Sequence, residues 1–210
     1  MRRFAPGALL LLAVIAWFGT LGYRDLIHPD EGRYAEIARQ MLASGDWITP
    51  RLNGILYFEK PALQYWATAA AFAVFGISDF AARFWPGLTG AFAVLALWWT
   101  TRAVLGPRIA LYSAGVLGSC VWWLGNSHFV NLDMGLSASL CLALLGFWYG
   151  QRDQAGTAEN RLGMRVAWAG MALAVMSKGL IGIVLPGAVL VVYSALALDF
   201  GVWRRMRWLS

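Results

Sequence analysis

The chain has 210 residues, of which 60% are hydrophobic and 13% charged, and it carries a formal net charge of +6. So few charges cannot cover a soluble domain of this size, and the apolar residues fall into long runs divided by short charged patches, the pattern of a chain that crosses a membrane repeatedly. The basic residues form no stripe; they sit mostly at the ends of apolar runs, where they set orientation, and this argues against a nucleic-acid partner.

The first apolar run, 7–23, follows Met1-Arg2-Arg3. The stretch Gly19-Thr20-Leu21-Gly22-Tyr23-Arg24 lacks a small-residue cleavage site, so the run reads as an uncleaved first span. A polar segment, 24–60, comes next and holds a second helix. Tyr34, Ile37, Ala38, Met41 and Leu42 recur at helical spacing as an apolar face, with Glu31, Arg33, Glu36 and Gln40 expected on the other side. Ser44-Gly45 supplies the stop. Such a helix lies in the membrane interface, and Trp47, Trp66 and Trp85 suit the same depth.

Further apolar runs cover 61–76, 82–104, 109–125, 132–150, 164–177 and 180–198. The runs after Pro61 and before Lys178 are short against the ~20 residues of an ordinary span. Charge decides between them. If 61–76 lies along the surface and 164–177 crosses, then Arg102, Arg108, Arg152, Arg161, Arg165, Arg204, Arg205 and Arg207 all face the cytoplasm with the amino terminus. If both crossed, five of these arginines would move outside, against the positive-inside rule. The reading is an all-α membrane bundle of about six spans, with two interfacial helices in an outer loop over 24–79. Cys120 and Cys141 lie in apolar runs and read as small core residues. The chain stops just after the sixth span with no closing domain, as an amino-terminal part would.

The topology gathers Asp30, Glu59, Lys60, Asp133 and Lys178 from separate places in the chain onto one outer face. Ionisable groups near a membrane are costly and usually line a functional cavity. Each has a plainer reading. Asp30 caps the helix that starts at Glu31, and Glu31 complements its dipole. Glu59 and Lys60 form a solvated pair before Pro61. Asp133 caps the fourth span, while Lys178 and Arg83 snorkel to the interface. His28 reads as a surface histidine. No nucleophilic triad, phosphate-cradling glycine loop or cysteine-based zinc site is present. From the residues alone, the reading reaches an outward-facing polar site on a membrane bundle.

The string Pro29-Asp30-Glu31-Gly32-Arg33-Tyr34-Ala35-Glu36-Ile37-Ala38-Arg39 resembles the first outer loop of the lipid-linked-sugar glycosyltransferases that include protein O-mannosyltransferases and aminoarabinose transferases. Gly45-Asp46-Trp47 and Tyr57-Phe58-Glu59-Lys60-Pro61, with Tyr65-Trp66 behind them, look most like the aminoarabinose branch. Phe75-Gly76, Arg83-Phe84, Asp133 and Lys178-Gly179 fall where that pattern expects them. The resemblance implies the GT-C membrane fold, a cavity at the outer leaflet of the inner membrane facing the periplasm, and an inverting transfer from a sugar donor on a polyprenyl phosphate. The implied acceptor is lipid A, with protein hydroxyls or another glycan as alternatives.

By the same resemblance, Asp30 matches the catalytic acidic position and Asp133 a second functional acidic one. Glu59 matches a ligand of a divalent metal such as zinc, and Lys60 a donor-phosphate contact. Arg33, Tyr34 and Lys178 would line the cavity. The contrasting class is a transporter, which places its substrate near the midplane of repeated halves. Here the ionisable groups collect at one face and no repeat is visible.

Overall fold

The computed structural model describes residues 6–207; Met1-Arg2-Arg3 and Trp208-Leu209-Ser210 lie outside them. Helix α1 (Pro6–Gly19) is followed by α2 (Asp30–Ser44), the two-residue strands β1 (Arg51–Leu52) and β2 (Ile55–Leu56), α3 (Leu63–Phe75) and α4 (Asp79–Leu105). Then come α5 (Pro107–Ser119), α6 (Val121–Ser127), α7 (Leu132–Gln151), α8 (Thr157–Lys178), α9 (Ile181–Ala197) and the short α10 (Gly201–Arg204). The strands pair antiparallel about Asn53-Gly54, a turn in which both residues adopt positive φ. That pair is a hairpin signal of known strength, absent from the reading above.

Within the described residues, α4 and α7 are each long and apolar enough to cross a membrane by length and composition, while α1, α3 and α9 are shorter apolar helices. Helix α8 has 22 residues, but Glu159, Arg161 and Arg165 in its opening turns dilute its hydropathy. The fourth apolar run, 109–125, is divided: the backbone is extended at Cys120, where α5 ends and α6 begins. Cys120 is exposed there and Cys141 half-buried, which corrects the expectation of two core thiols.

Large apolar side chains point outward along the bundle, among them Leu95, Trp99, Leu111, Val116, Val184 and Val192. A surface so rich in exposed aliphatic groups suits hydrocarbon and not water. Inside, small residues let helices approach. A Cβ placed on Gly146 would lie 2.6 Å from the Gly163 carbonyl oxygen and the Ala167 nitrogen, so α7 and α8 meet backbone to backbone. Tryptophan N–H groups tie the remaining helices to α4: Trp17 donates to the Gly87 carbonyl at 2.9 Å and Trp123 to that of Gly90 at 3.2 Å. Helices α4 and α5 are joined at Gly106, whose φ of +93° only glycine adopts without strain.

These contacts give the bundle two chemically different ends. Trp99 of α4 stacks near Tyr149 of α7, with centroids 5.4 Å apart, which brings Arg102 and Arg152 to one end. Arg152 pairs there with Glu159 at 2.5 Å, and Asn160 accepts from Arg207 and donates to the Arg205 carbonyl. The start of α4, the start of α7 and the end of α8 meet at the opposite end, with α2, α3 and the hairpin.

Candidate functional site

At that opposite end, α2 packs on α3 through a core of Tyr34, Ile37, Ala38, Met41, Tyr65, Ala69 and Phe72, joined by Tyr57, Val130 and Leu132. The φ of +72° at Gly45 ends α2 as expected. Trp66 donates its indole N–H to the Trp47 carbonyl at 2.6 Å, which ties the segment after α2 to α3.

This packing fixes a chain of polar groups. Asp30, at the first turn of α2, pairs with Arg33 at 3.3 Å. Arg33 donates to the Tyr57 hydroxyl at 3.5 Å, and that hydroxyl donates to Glu59 at 3.0 Å. Lys60 follows, half-exposed, and makes no ion pair among the described residues. Lys178 pairs with Asp133, and the two approach the same neighbourhood from the ends of α8 and α7.

Two tyrosines stand between these groups. The rings of Tyr34 and Tyr65 lie 6.1 Å apart. Burial, reinforced by the charge and hydroxyl of Tyr57, Asp30 and Asp133, pushes the Tyr34 phenol up against the opposing pull of Arg33. Burial likewise raises the Tyr65 phenol, with Tyr57, Tyr34 and Glu59 adding to it. Among the described residues the buried Tyr65 hydroxyl has no hydrogen-bond partner, and neither has the buried side-chain carbonyl oxygen of its neighbour Gln64. All seven residues expected at the site are therefore on one end of the bundle, with Tyr34 within electrostatic reach of Asp30, Arg33 and Asp133.

Three of the plainer readings fail here. Asp30 makes no side-chain capping bond, since α2 already starts at Asp30. Asn131, not Asp133, caps α7 by accepting from the Met134 N–H at 2.8 Å. Lys178 does not simply reach for water, because Asp133 holds it.

The largest correction concerns Glu31 and Arg83. Both were expected at the surface, and both are fully buried. Glu31 Oε1 accepts from Arg83 Nε at 2.8 Å and from the Val130 N–H at 2.9 Å. Its Oε2 accepts from Arg24 at 2.5 Å, the Ile27 N–H at 2.9 Å and Arg83 Nη2 at 3.0 Å. Burial alone would raise this carboxyl; the bonds from Arg83, Arg24, Ile27 and Val130 outweigh it and bring it down to about 2. A signal for this was present. Glu31 lies three residues before Tyr34, four before Ala35 and seven before Ala38, which puts it on the apolar face and not opposite it.

As a metal site the described residues are incomplete. No three His, Cys, Asp or Glu side chains among them converge on one point. Glu59 brings one carboxylate, with the Tyr57 hydroxyl beside it, whereas a zinc centre takes three or four protein ligands.

A helical bundle with an apolar exterior and a polar site at one end, where α2 and α3 pack together, has the features of an integral membrane protein of the GT-C type. The model of the dolichyl-phosphate-mannose-protein mannosyltransferase family matches residues 5–209, and the chain belongs to that family. It is 36% identical over 209 residues to the undecaprenyl phosphate-alpha-4-amino-4-deoxy-L-arabinose arabinosyl transferase of Pseudomonas savastanoi, covering 97% of this chain and 37% of the relative. With an enzyme of that name from Sodalis glossinidius it shares 32% identity over 188 residues, or 89% of this chain and 34% of the relative.

Among solved structures, the crystal structure of ArnT from Cupriavidus metallidurans in the apo state is similar, with a TM-score of 0.93, 39% identity and coverage of 97% of this chain and 38% of that one. The structure of the same protein bound to undecaprenyl phosphate gives a TM-score of 0.94, with 39% identity and coverage of 98% and 39%. The chain thus spans a little over a third of the length of these relatives.

Proposed function

We propose that residues 1–210 form the amino-terminal part of a GT-C catalytic domain that moves a sugar from a polyprenyl-phosphate donor to an acceptor at the periplasmic face of the inner membrane. The donor class is undecaprenyl phosphate carrying 4-amino-4-deoxy-L-arabinose, and the acceptor is lipid A. Protein hydroxyls, which the family's description names, are the alternative acceptor. The observation that carries this reading is the chain Asp30–Arg33–Tyr57–Glu59 beside Lys60, on the end of the bundle opposite Arg102 and Arg152.

In this reading an acceptor oxygen attacks the anomeric carbon while the bond from that carbon to the phosphate oxygen breaks. The polyprenyl phosphate leaves with the electron pair. Asp30 orients the attacking group and takes its proton where it has one. Arg33, paired with Asp30 at 3.3 Å, aims it. Lys60 meets the negative charge that builds on the leaving phosphate. Asp133, held by Lys178, presents a second carboxylate within electrostatic reach of Tyr34. A divalent ion such as zinc, if bound through Glu59, would add positive charge at the phosphate; its other ligands are not among the described residues, and no step above depends on it.

Binding tests the reading directly. The protein in nanodiscs is titrated with undecaprenyl phosphate. Lys60→Ala is expected to weaken binding about 10-fold or more, and Lys60→Arg by less, because a planar fork replaces a compact ammonium. Glu59→Gln should change bound metal more than donor affinity. Unchanged affinity in Lys60→Ala together with unchanged metal in Glu59→Gln would return the pair to ordinary solvated charges.

A further inference from the structure

We infer that Glu31 is a positioning residue: its buried carboxylate holds Asp30 and Asp133 in fixed relation, so that the two acidic groups behave as one rigid unit. This rests on the site reading above and goes beyond it, because Glu31 is buried away from any substrate.

The argument starts from where the bonds go. Glu31 follows Asp30 directly. Its two oxygens accept from Arg24 and the Ile27 N–H, in the segment that enters α2, and from the Val130 N–H, in the segment that enters α7 three residues before Asp133. The remaining two bonds come from Arg83 near the start of α4. One carboxylate therefore joins three separate segments, and two of them carry the candidate acids.

Arg83 makes the joint stiff. Besides its two bonds to Glu31, its Nη1 donates to the carbonyls of Leu21 at 2.9 Å and Arg24 at 2.8 Å, and its Nη2 to that of Asp25 at 2.9 Å. A guanidinium has five N–H donors, and all five are used. Neither partner has a spare bond with which to swing. Asn131 adds a second tie beside Val130, capping α7 and donating to the Asn126 side chain at 3.0 Å.

The Glu31–Arg83 pair also satisfies the N–H groups of Ile27 and Val130 and the carbonyls of Leu21, Arg24 and Asp25, so its two side chains set the spacing of the segments that carry those groups. A site that must align an attacking group needs this, since small misplacements cost rate out of proportion to their size.

The experiment separates positioning from folding. Three variants of the protein are compared with the parent: Glu31→Gln, Glu31→Asp, and the double change Glu31→Gln with Arg83→Gln, which removes both charges while leaving groups that donate and accept hydrogen bonds at both positions. Each is assayed for kcat and KM of transfer and for undecaprenyl phosphate affinity. In versions with Cys120 and Cys141 replaced by alanine, spin labels at Ala43 on α2 and Leu144 on α7 report the distance distribution between the helices.

The double variant is expected to fold and to bind undecaprenyl phosphate within about threefold of the parent. Its kcat should drop about 10-fold or more and the label distribution should broaden. Glu31→Asp, which keeps the charge on a shorter arm, should recover part of the kcat lost in Glu31→Gln. A double variant with parental kcat and a parental label distribution would overturn the proposal and leave Glu31 as a staple. The label distances are read without turnover, so a parent protein that transferred nothing would sink the functional reading while still testing this one.

Discussion

Lys178, the last residue of α8, closes an ion pair onto Asp133 in the first turn of α7. The pair fastens the end of one close-packed helix to the beginning of its neighbour at the site end of the bundle. Both side chains are partly solvated, at 34% and 53% exposure, so the attraction is screened and contributes little to stability. Its value lies in keeping a cation on a candidate functional carboxylate.

Lys178→Met is therefore expected to lower stability by less than about 1 kcal/mol. Transfer should fall by more than that loss explains, because Asp133 loses its partner. Thermal unfolding in detergent beside a transfer assay checks this. A large loss of stability with unaltered transfer would make the pair structural.

Glu31 makes a prediction about acid. Its folded carboxyl lies near 2 against an ordinary 4.5. A depressed carboxylate stabilises the fold in full above its unfolded value and loses that contribution as pH falls towards the folded value. The gap in melting temperature between the parent and Glu31→Gln should hold steady from about pH 7 to pH 5 and then shrink between about 4.5 and 2. At neutral pH the accompanying loss of stability should be large, of the order of 3–5 kcal/mol, because the variant leaves Arg83 buried without its counter-ion. A gap independent of pH across that range would contradict the ionised state assigned to Glu31.

The separation of the two ends predicts which residues face which side. In intact spheroplasts of a version with Cys120 and Cys141 replaced by alanine, cysteines at Asn53 and Asn131 should react with a membrane-impermeant thiol reagent. One at Gly106 should be protected until the membrane is opened. Labelling of Gly106 from outside with Asn131 protected would make 61–76 a true span and reverse the bundle.

Much of this arrangement is legible in the residues, and the failures have a common cause. The apolar runs and the arginines at their ends report local hydropathy and charge, so the helices and the two ends follow from them. The motifs around Asp30, Glu59 and Lys60 are contiguous strings, which a single sequence displays. The Glu31–Arg83 pair is not: it joins residues 52 positions apart, and only the way the segments around Arg24 and Val130 close over the starts of α2 and α4 makes both of them interior. Exposed charge is the ordinary state of glutamate and arginine, so each was placed at the surface on its own. The interruption at Cys120 is similar, since no proline or glycine stands at that position to break the helix. The hairpin differs, because Asn53-Gly54 states it locally, although its strands are only two residues long.

The central claim, that Asp30 carries chemistry and not structure, is tested by Asp30→Asn in the complete protein. Asparagine keeps the size of the side chain, while the charge that pairs with Arg33 and the basicity are lost. The measurement is the rate of sugar transfer under saturating donor, on protein matched for expression and for undecaprenyl phosphate affinity. The account predicts a fall of about 10²-fold or more, the lower end of what a general base contributes, with donor affinity kept within a few-fold. Transfer at a near-parental rate would contradict it.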